Sequence, residues 1–177
     1  MKNNTIKRTL MLAETINLVG FFEKFKEEKI KSLKIRDQWN VLSNIKELTP
    51  NVTKFNEFRE KLTQDLSNEY FGSDEKSEEV EIPQTDDNGE TVVDENGEVQ
   101  MQQARRVKEE YMESYNQKVA ELNTELQNLL LEKTTYTFKP IDLDEIVDNL
   151  DGDTNIELQD IEMLSFCDVN SADNGDE

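Results

Sequence analysis

Residues 36–70 read RDQWNVLSNIKELTPNVTKFNEFREKLTQDLSNEY. Leu42, Ile45, Leu48, Val52, Phe55, Phe58, Leu62, Leu66 and Tyr70 follow one another at steps of three or four. That spacing matches the ~3.6 residues of an α-helical turn, so one side of a long helix is apolar from end to end. Thr49-Pro50 interrupts the run, and two readings compete. Thr49 caps a new helix with Pro50 at its first position, or a single helix continues through the proline with a kink. The apolar phase does not slip across Pro50, so both segments use the same face.

Upstream, Ile16, Val19, Phe22 and Phe25 recur at steps of three, widened by Leu18 and Phe21, and predict a helix over 14–31. Gly20 lies inside it at a cost of ~1 kcal/mol against Ala. The two helices are expected to form an antiparallel hairpin through 31–35. Residues 5–12 suit either a short strand or the first turns of the first helix. Downstream, Gly72 is a stop signal. Residues 73–103 then change character: short alternating segments surround Asn88-Gly89 and Asn96-Gly97, the local signature of a hairpin. A small β-meander is expected there, or a mobile acidic loop that imitates one. Val107, Tyr111, Tyr115, Val119, Leu122, Leu126 and Leu129 or Leu130 predict a third helix over 104–133, about 45 Å long. Residues 134–138 are β-branched and aromatic and read as a strand, ended by Lys139-Pro140. Two short helices are expected over 144–150 and 156–166, joined by a turn at Asp151-Gly152-Asp153.

Composition narrows the chemistry. The chain has 177 residues, no histidine, one cysteine, and 40 acidic against 20 basic side chains, for a net charge of −20. A disulfide within the chain, a histidine metal site and a histidine-based triad are therefore excluded. No apolar run approaches the ~18 residues of a membrane span. Lys7 and Arg8 interrupt the apolar stretch 6–12, so no signal-peptide core is expected. Leu, Ile, Val and Phe make up about a quarter of the residues, enough for a core. Charge is unevenly placed: residues 1–70 are net +3, 71–105 net −9 and 140–177 net −13. The basic stretch Lys24, Lys26, Lys29, Lys31, Lys34 and Arg36 is expected to pair with the acidic C-terminal part. The overall field disfavours direct binding to nucleic acid or to anionic lipid.

Few residues are arranged for chemistry. From Asp151, oxygen-bearing side chains occupy positions 1, 3, 5 and 12 of a calcium-loop spacing, but Ile156 stands where glycine must make the turn. An N-cap at Asp153 or Thr154 is the better reading. No carboxylate pair sits with an acid–base partner, and no glycine-rich phosphate loop exists. Cys167 follows Leu164 and Phe166 and reads as a buried, inert thiol. Trp39, the single tryptophan, is expected in the core, with a partner-binding anchor as the alternative. Glu79, Glu81, Asp86, Asp87, Asp94, Glu95, Asp142 and Asp144 are the further candidate contact residues. No catalytic residue, metal ligand or cofactor is expected.

The order of segments carries a resemblance. Val41-Leu42-Ser43-Asn44-Ile45, Phe58-Arg59-Glu60-Lys61-Leu62 and Glu69-Tyr70-Phe71-Gly72 precede the acidic Asn-Gly insert. Tyr136-Thr137-Phe138-Lys139-Pro140-Ile141-Asp142-Leu143-Asp144 and a terminal helix over 160–166 follow it. This layout resembles small helical-hairpin proteins of tailed bacteriophages and prophages, a group with no established activity to carry over. The resemblance implies a phage origin and a non-catalytic role.

The expected fold is mainly α: an antiparallel three-helix bundle with a small β-hairpin or meander insert and a short C-terminal strand plus helix. The expected divisions are a helical hairpin over 1–72, an acidic insert over 73–103, a long helix with strand and short helices over 104–167, and a polar tail over 168–177. The expected function is protein–protein interaction in virion assembly or with a host protein, in the host cytoplasm or the virion. The alternative is an acidic mimic of nucleic acid that occludes a host nucleic-acid-binding protein. Partners are then proteins, with self-association allowed and no membrane involved.

Overall fold

A computed structural model describes residues 5–148 and 156–168. The turn expected at 151–153, the N-cap expected at Asp153 or Thr154, the first residues of the calcium-loop spacing and the tail beyond 168 lie outside the described residues. The chain is mainly helical, with two two-stranded antiparallel sheets. In chain order the elements are β1 (Ile6–Met11), α1 (Leu12–Glu28), α2 (Ile35–Tyr70), β2 (Ser77–Pro83), β3 (Met101–Val107), α3 (Glu109–Leu130), β4 (Lys133–Phe138), α4 (Leu143–Asp148) and α5 (Leu158–Leu164). Single 3₁₀ turns cover Ile30–Ser32 and Ser165–Cys167. The chain divides into two compact units, residues 1–57 with 127–177, and residues 58–126.

In the first unit the two ends of the chain meet. β1 pairs with β4, Ile6 opposite Phe138 and Met11 opposite Lys133. The strand reading of 5–12 is therefore the correct one. Ile6 and Leu10 point inward from β1, Tyr136 and Phe138 from β4. They join Leu18, Phe22 and Phe25 of α1, Val41, Ile45 and Leu48 of α2, and Ile141, Ile146, Leu164 and Cys167 in one apolar cluster. Removing each such side chain from water contributes about 1.5–3 kcal/mol. β1 turns directly into α1: the Met11 amide donates to Glu14 Oε2 (2.7 Å), and the Thr15 hydroxyl donates to the Met11 carbonyl (3.0 Å).

The free edge of β4 is covered by polar side chains of α2 spaced three or four apart. The Thr137 amide donates to Glu47 Oε1 (3.2 Å) and the Lys139 amide to Asn44 Oδ1 (2.7 Å). Asn44 Nδ2 donates back to the Lys139 carbonyl (2.9 Å), and Asn40 Nδ2 to the Pro140 carbonyl (2.7 Å). Asn44 is only 1% exposed, and these two-way bonds are what make its burial tolerable. The anticipated pairing of the basic stretch with the acidic C-terminal part is seen at Lys29, whose Nζ donates to Asp160 Oδ2 at 2.6 Å.

Helix α2 runs unbroken through Pro50, so the single-helix reading holds. Thr49 does not cap a new helix; its hydroxyl donates to the Ile45 carbonyl (2.7 Å). The core face of this half differs from expectation by one residue. Val41, not Leu42, joins Ile45 and Leu48 in the core. Both choices satisfy helical periodicity, and the buried Asn44 hid the difference.

In the second unit, Tyr70 is 1% exposed and sits against Tyr115 of α3, ring centroids 5.1 Å apart and edge-on. Its hydroxyl donates to Ser114 Oγ (3.1 Å). Leading away from this anchor, the apolar stripes carry Phe58, Leu62 and Leu66 on α2 and Val119, Leu122 and Leu126 on α3. All six are half-buried. No side chain of α3 is fully buried, because two helices cover each other's stripe on one side only. The expected three-helix seam is thus divided. Helix α1 contributes to the core of the first unit, which takes no residue from α3.

Gly72 lies just past the end of α2, where a Cβ would stand 2.6 Å from the Asn68 carbonyl oxygen, so the chain leaves the helix at a position that only glycine fits. Helix α3 starts at Glu109, later than expected, because residues 101–107 form β3. Val107 continues the spacing of Tyr111 and Tyr115 but is the last strand residue, opposite Ser77.

Candidate partner-binding surfaces

Two surfaces of the molecule carry apolar side chains in water. The first is the outer face of α2 where the helix begins. Asp37, Val41, Asn44 and Ile45 turn inward, which forces Ile35, Trp39, Leu42 and Lys46 outward together. Ile35 is 72% exposed, Trp39 70% and Leu42 39%. The core reading of Trp39 is therefore wrong. Lys31, Lys34, Arg36 and Lys46, all exposed, give this face a basic rim. Its base is fixed: Gln38 Nε2 donates to the Leu33 carbonyl (2.8 Å), and Arg36 Nε to the buried Asp37 Oδ1 (3.3 Å).

The second surface is the tip of the β2–β3 hairpin. Glu79 and Glu81 are exposed on β2, and Glu81 Oε1 accepts from Gln103 Nε2 at 3.0 Å. Beyond Pro83, residues 85–92 (TDDNGETV) and 93–100 (VDENGEVQ) match almost position for position. They fold alike. The Asp86 carbonyl accepts from the Gly89 amide (3.0 Å), and its Oδ1 accepts the Asn88 and Glu90 amides (both 2.9 Å). Asp94 repeats this with Gly97, Asn96 and Glu98. Gly89 and Gly97 have φ of 81° and 82°, the left-handed conformation that glycine adopts without a Cβ penalty. Each loop is thus a β-turn followed by a left-handed glycine. A ring of three backbone bonds closes the pair: Val92 N–H to Gln84 O (2.8 Å), Gln100 N–H to Val92 O (2.9 Å) and Gln84 N–H to Gln100 O (2.8 Å).

The candidate acids consequently do different work. Asp86 and Asp94 build the turns, and the amides they accept hold both carboxyls below the usual carboxylate range. Asp87 and Glu95 are exposed at equivalent positions of the two loops. Val93 and Val99 bridge one another and remain 53% and 48% exposed. Ile82 and Met101 are exposed nearby on the strands. Asp142 and Asp144 belong to the other unit, at the start of α4, where both already interact with neighbouring groups.

Below the hairpin, Glu69 accepts from Lys76 Nζ (2.7 Å) and from Lys118. The Lys118 and Lys76 bonds hold its carboxyl below the ordinary value. An open depression lined by Glu78, Arg106, Lys108 and Glu109 carries mixed charge. Cys167 is fully buried, and burial pushes its thiol up to about 12, so it is protonated at neutral pH. Among the described residues no group of three or more Asp, Glu or Cys is placed to hold a metal ion. Among them, too, no helix is long and apolar enough to cross a membrane.

Sequence reasoning missed the outward face of Trp39: it carries charged Lys46, but the buried face carries charged Asp37 as well, so charge on the helical wheel does not tell the two apart. No protein-family profile matches the chain, and no curated protein or solved structure matches it.

Proposed function

We propose that this is a non-catalytic bacteriophage or prophage protein that works by protein–protein contact, in virion assembly or on a host protein, and that Trp39 is its anchor. One observation carries the reading: the single tryptophan stands 70% exposed, flanked by exposed Ile35 and Leu42, on a rigid helix whose opposite face is core. Large aromatic side chains held rigid in water are the type that dominates interface energetics. The phage assignment rests on the layout of segments described above.

The acidic-mimic alternative draws support from the hairpin tip, where residues 84–100 hold six carboxylates and no basic side chain. The two readings separate by salt. Binding by a mimic weakens steeply as salt rises, and binding through an apolar helix face weakens little. The test is retention of candidate phage and host proteins on immobilised full-length chain, wild type against Trp39→Ala. A partner lost with Trp39→Ala is expected. Equal retention by both proteins would overturn the anchor assignment.

A further inference from the structure

The two exposed surfaces are complementary. Seven of the ten most exposed large apolar side chains among the described residues fall on them: Ile35, Trp39 and Leu42 on one, Ile82, Val93, Val99 and Met101 on the other. The helix face is rimmed by Lys31, Lys34, Arg36 and Lys46, within the N-terminal part of the chain (residues 1–70), which is net +3. The tip holds Asp86, Asp87, Glu90, Asp94, Glu95 and Glu98 around its exposed valine pair. Apolar centre meets apolar centre, and positive rim meets negative.

We propose that copies of this chain associate head to tail, the Ile35–Trp39–Leu42 face of one copy receiving the Val93–Val99 hairpin tip of a second. This rests on the reading of Trp39 as a docking anchor and names its occupant. Three observations point to a second copy. Both halves of the match are present on every molecule, so no other protein need supply either. At a net charge of −20, two copies repel unless a locally basic surface meets an acidic one, and this face is that basic surface. The tip is pre-organised by its paired turns and ring of backbone bonds, so little ordering cost falls on binding. The contact is heterologous: a copy whose face is filled still offers its tip, so the arrangement closes into a ring or extends.

Sedimentation velocity of the full chain, over a wide concentration range at low and high salt, reads this directly. Self-association that weakens only modestly with added salt is expected, because the rim charges are screened while the apolar centre of the contact is not. Trp39→Ala should weaken it about thirtyfold, the effect of losing an interface anchor. Val93→Ser with Val99→Ser should weaken it similarly. All three positions are exposed, and an unchanged thermal melt confirms that each variant folds. Mixing the two variants is decisive. Each lacks a different half of the contact, so the mixture should yield a one-to-one dimer and nothing larger. A wild-type chain that stays monomeric overturns the proposal. So does a Trp39→Ala chain that associates normally, a mixture that fails to pair although the wild type associates, or a helix face that binds anionic phosphatidylserine vesicles in place of a second copy. If the wild type is monomeric yet captures a different protein through Trp39, self-association fails and the anchor reading stands.

Discussion

The two units share helix α2 but are held together differently. In residues 1–57 with 127–177, side chains from both strands of one sheet, α1, α2 and the C-terminal turns converge on sixteen buried residues. In residues 58–126, two helices offer half-buried stripes, and full burial is confined to Tyr70, Ser77 and Val107. An apolar stripe on one helix becomes a core only when elements close around it from several sides. With a single companion it stays half in water, and polar contacts such as Glu69 with Lys76 and Lys118 take a larger share.

The largest expected difference is in truncations. Phe22→Ala or Phe138→Ala, each fully buried, should cost about 3–5 kcal/mol in denaturant unfolding. Leu62→Ala or Leu66→Ala, half-buried on the same α2 stripe, should cost roughly 1–2 kcal/mol. Equal losses would erase the distinction. Next come two backbone positions on α2 and its end. Pro50→Ala should stabilise by up to ~3 kcal/mol, since it restores a helical hydrogen bond and removes the ring clash. Gly72→Ala should destabilise by roughly 1–3 kcal/mol, because the Asn68 backbone cannot move aside cheaply.

Acid should act on the second unit first. Glu69, Asp86 and Asp94 all lie there with depressed carboxyl pKa values. A depressed pKa stabilises the fold above the ordinary value and loses that contribution as pH falls through the folded value. Amide exchange at Asn88, Glu90, Asn96 and Glu98, corrected for intrinsic rates, should therefore rise below about pH 4 while amides of α1 stay protected. In the first unit, Lys29 is raised above the ordinary lysine value by its bond to Asp160. Its contribution holds below the ordinary value and fades as alkaline pH rises through the raised one. Smallest of all, Cys167 in the native protein should remain unmodified by a thiol reagent that labels the denatured chain at once.

Local signals read well from sequence and distant ones did not. The span of α2 was legible to within a residue, because periodicity and a glycine stop are local. The strand over 134–138 was legible from its β-branched run. Its partner was not, since β1 lies more than a hundred residues away and residue 8, an arginine, breaks its alternation. Val107 misled because its spacing to Tyr111 suits a helix, while the cross-strand partners Glu78 and Arg106 that extend the hairpin are set by pairing register. At the candidate site, the acidic tip was visible as Asn-Gly turns. The orientation of Trp39 was hidden, because it depends on a buried asparagine that only the edge of β4 explains.

The measurement closest to the heart of this account is a paired one on Trp39→Ala: thermal stability and sedimentation, against wild type under the same conditions. An unchanged melting temperature with association lost is predicted, because the indole contributes to recognition and not to packing. A lowered melting temperature with association intact would contradict it.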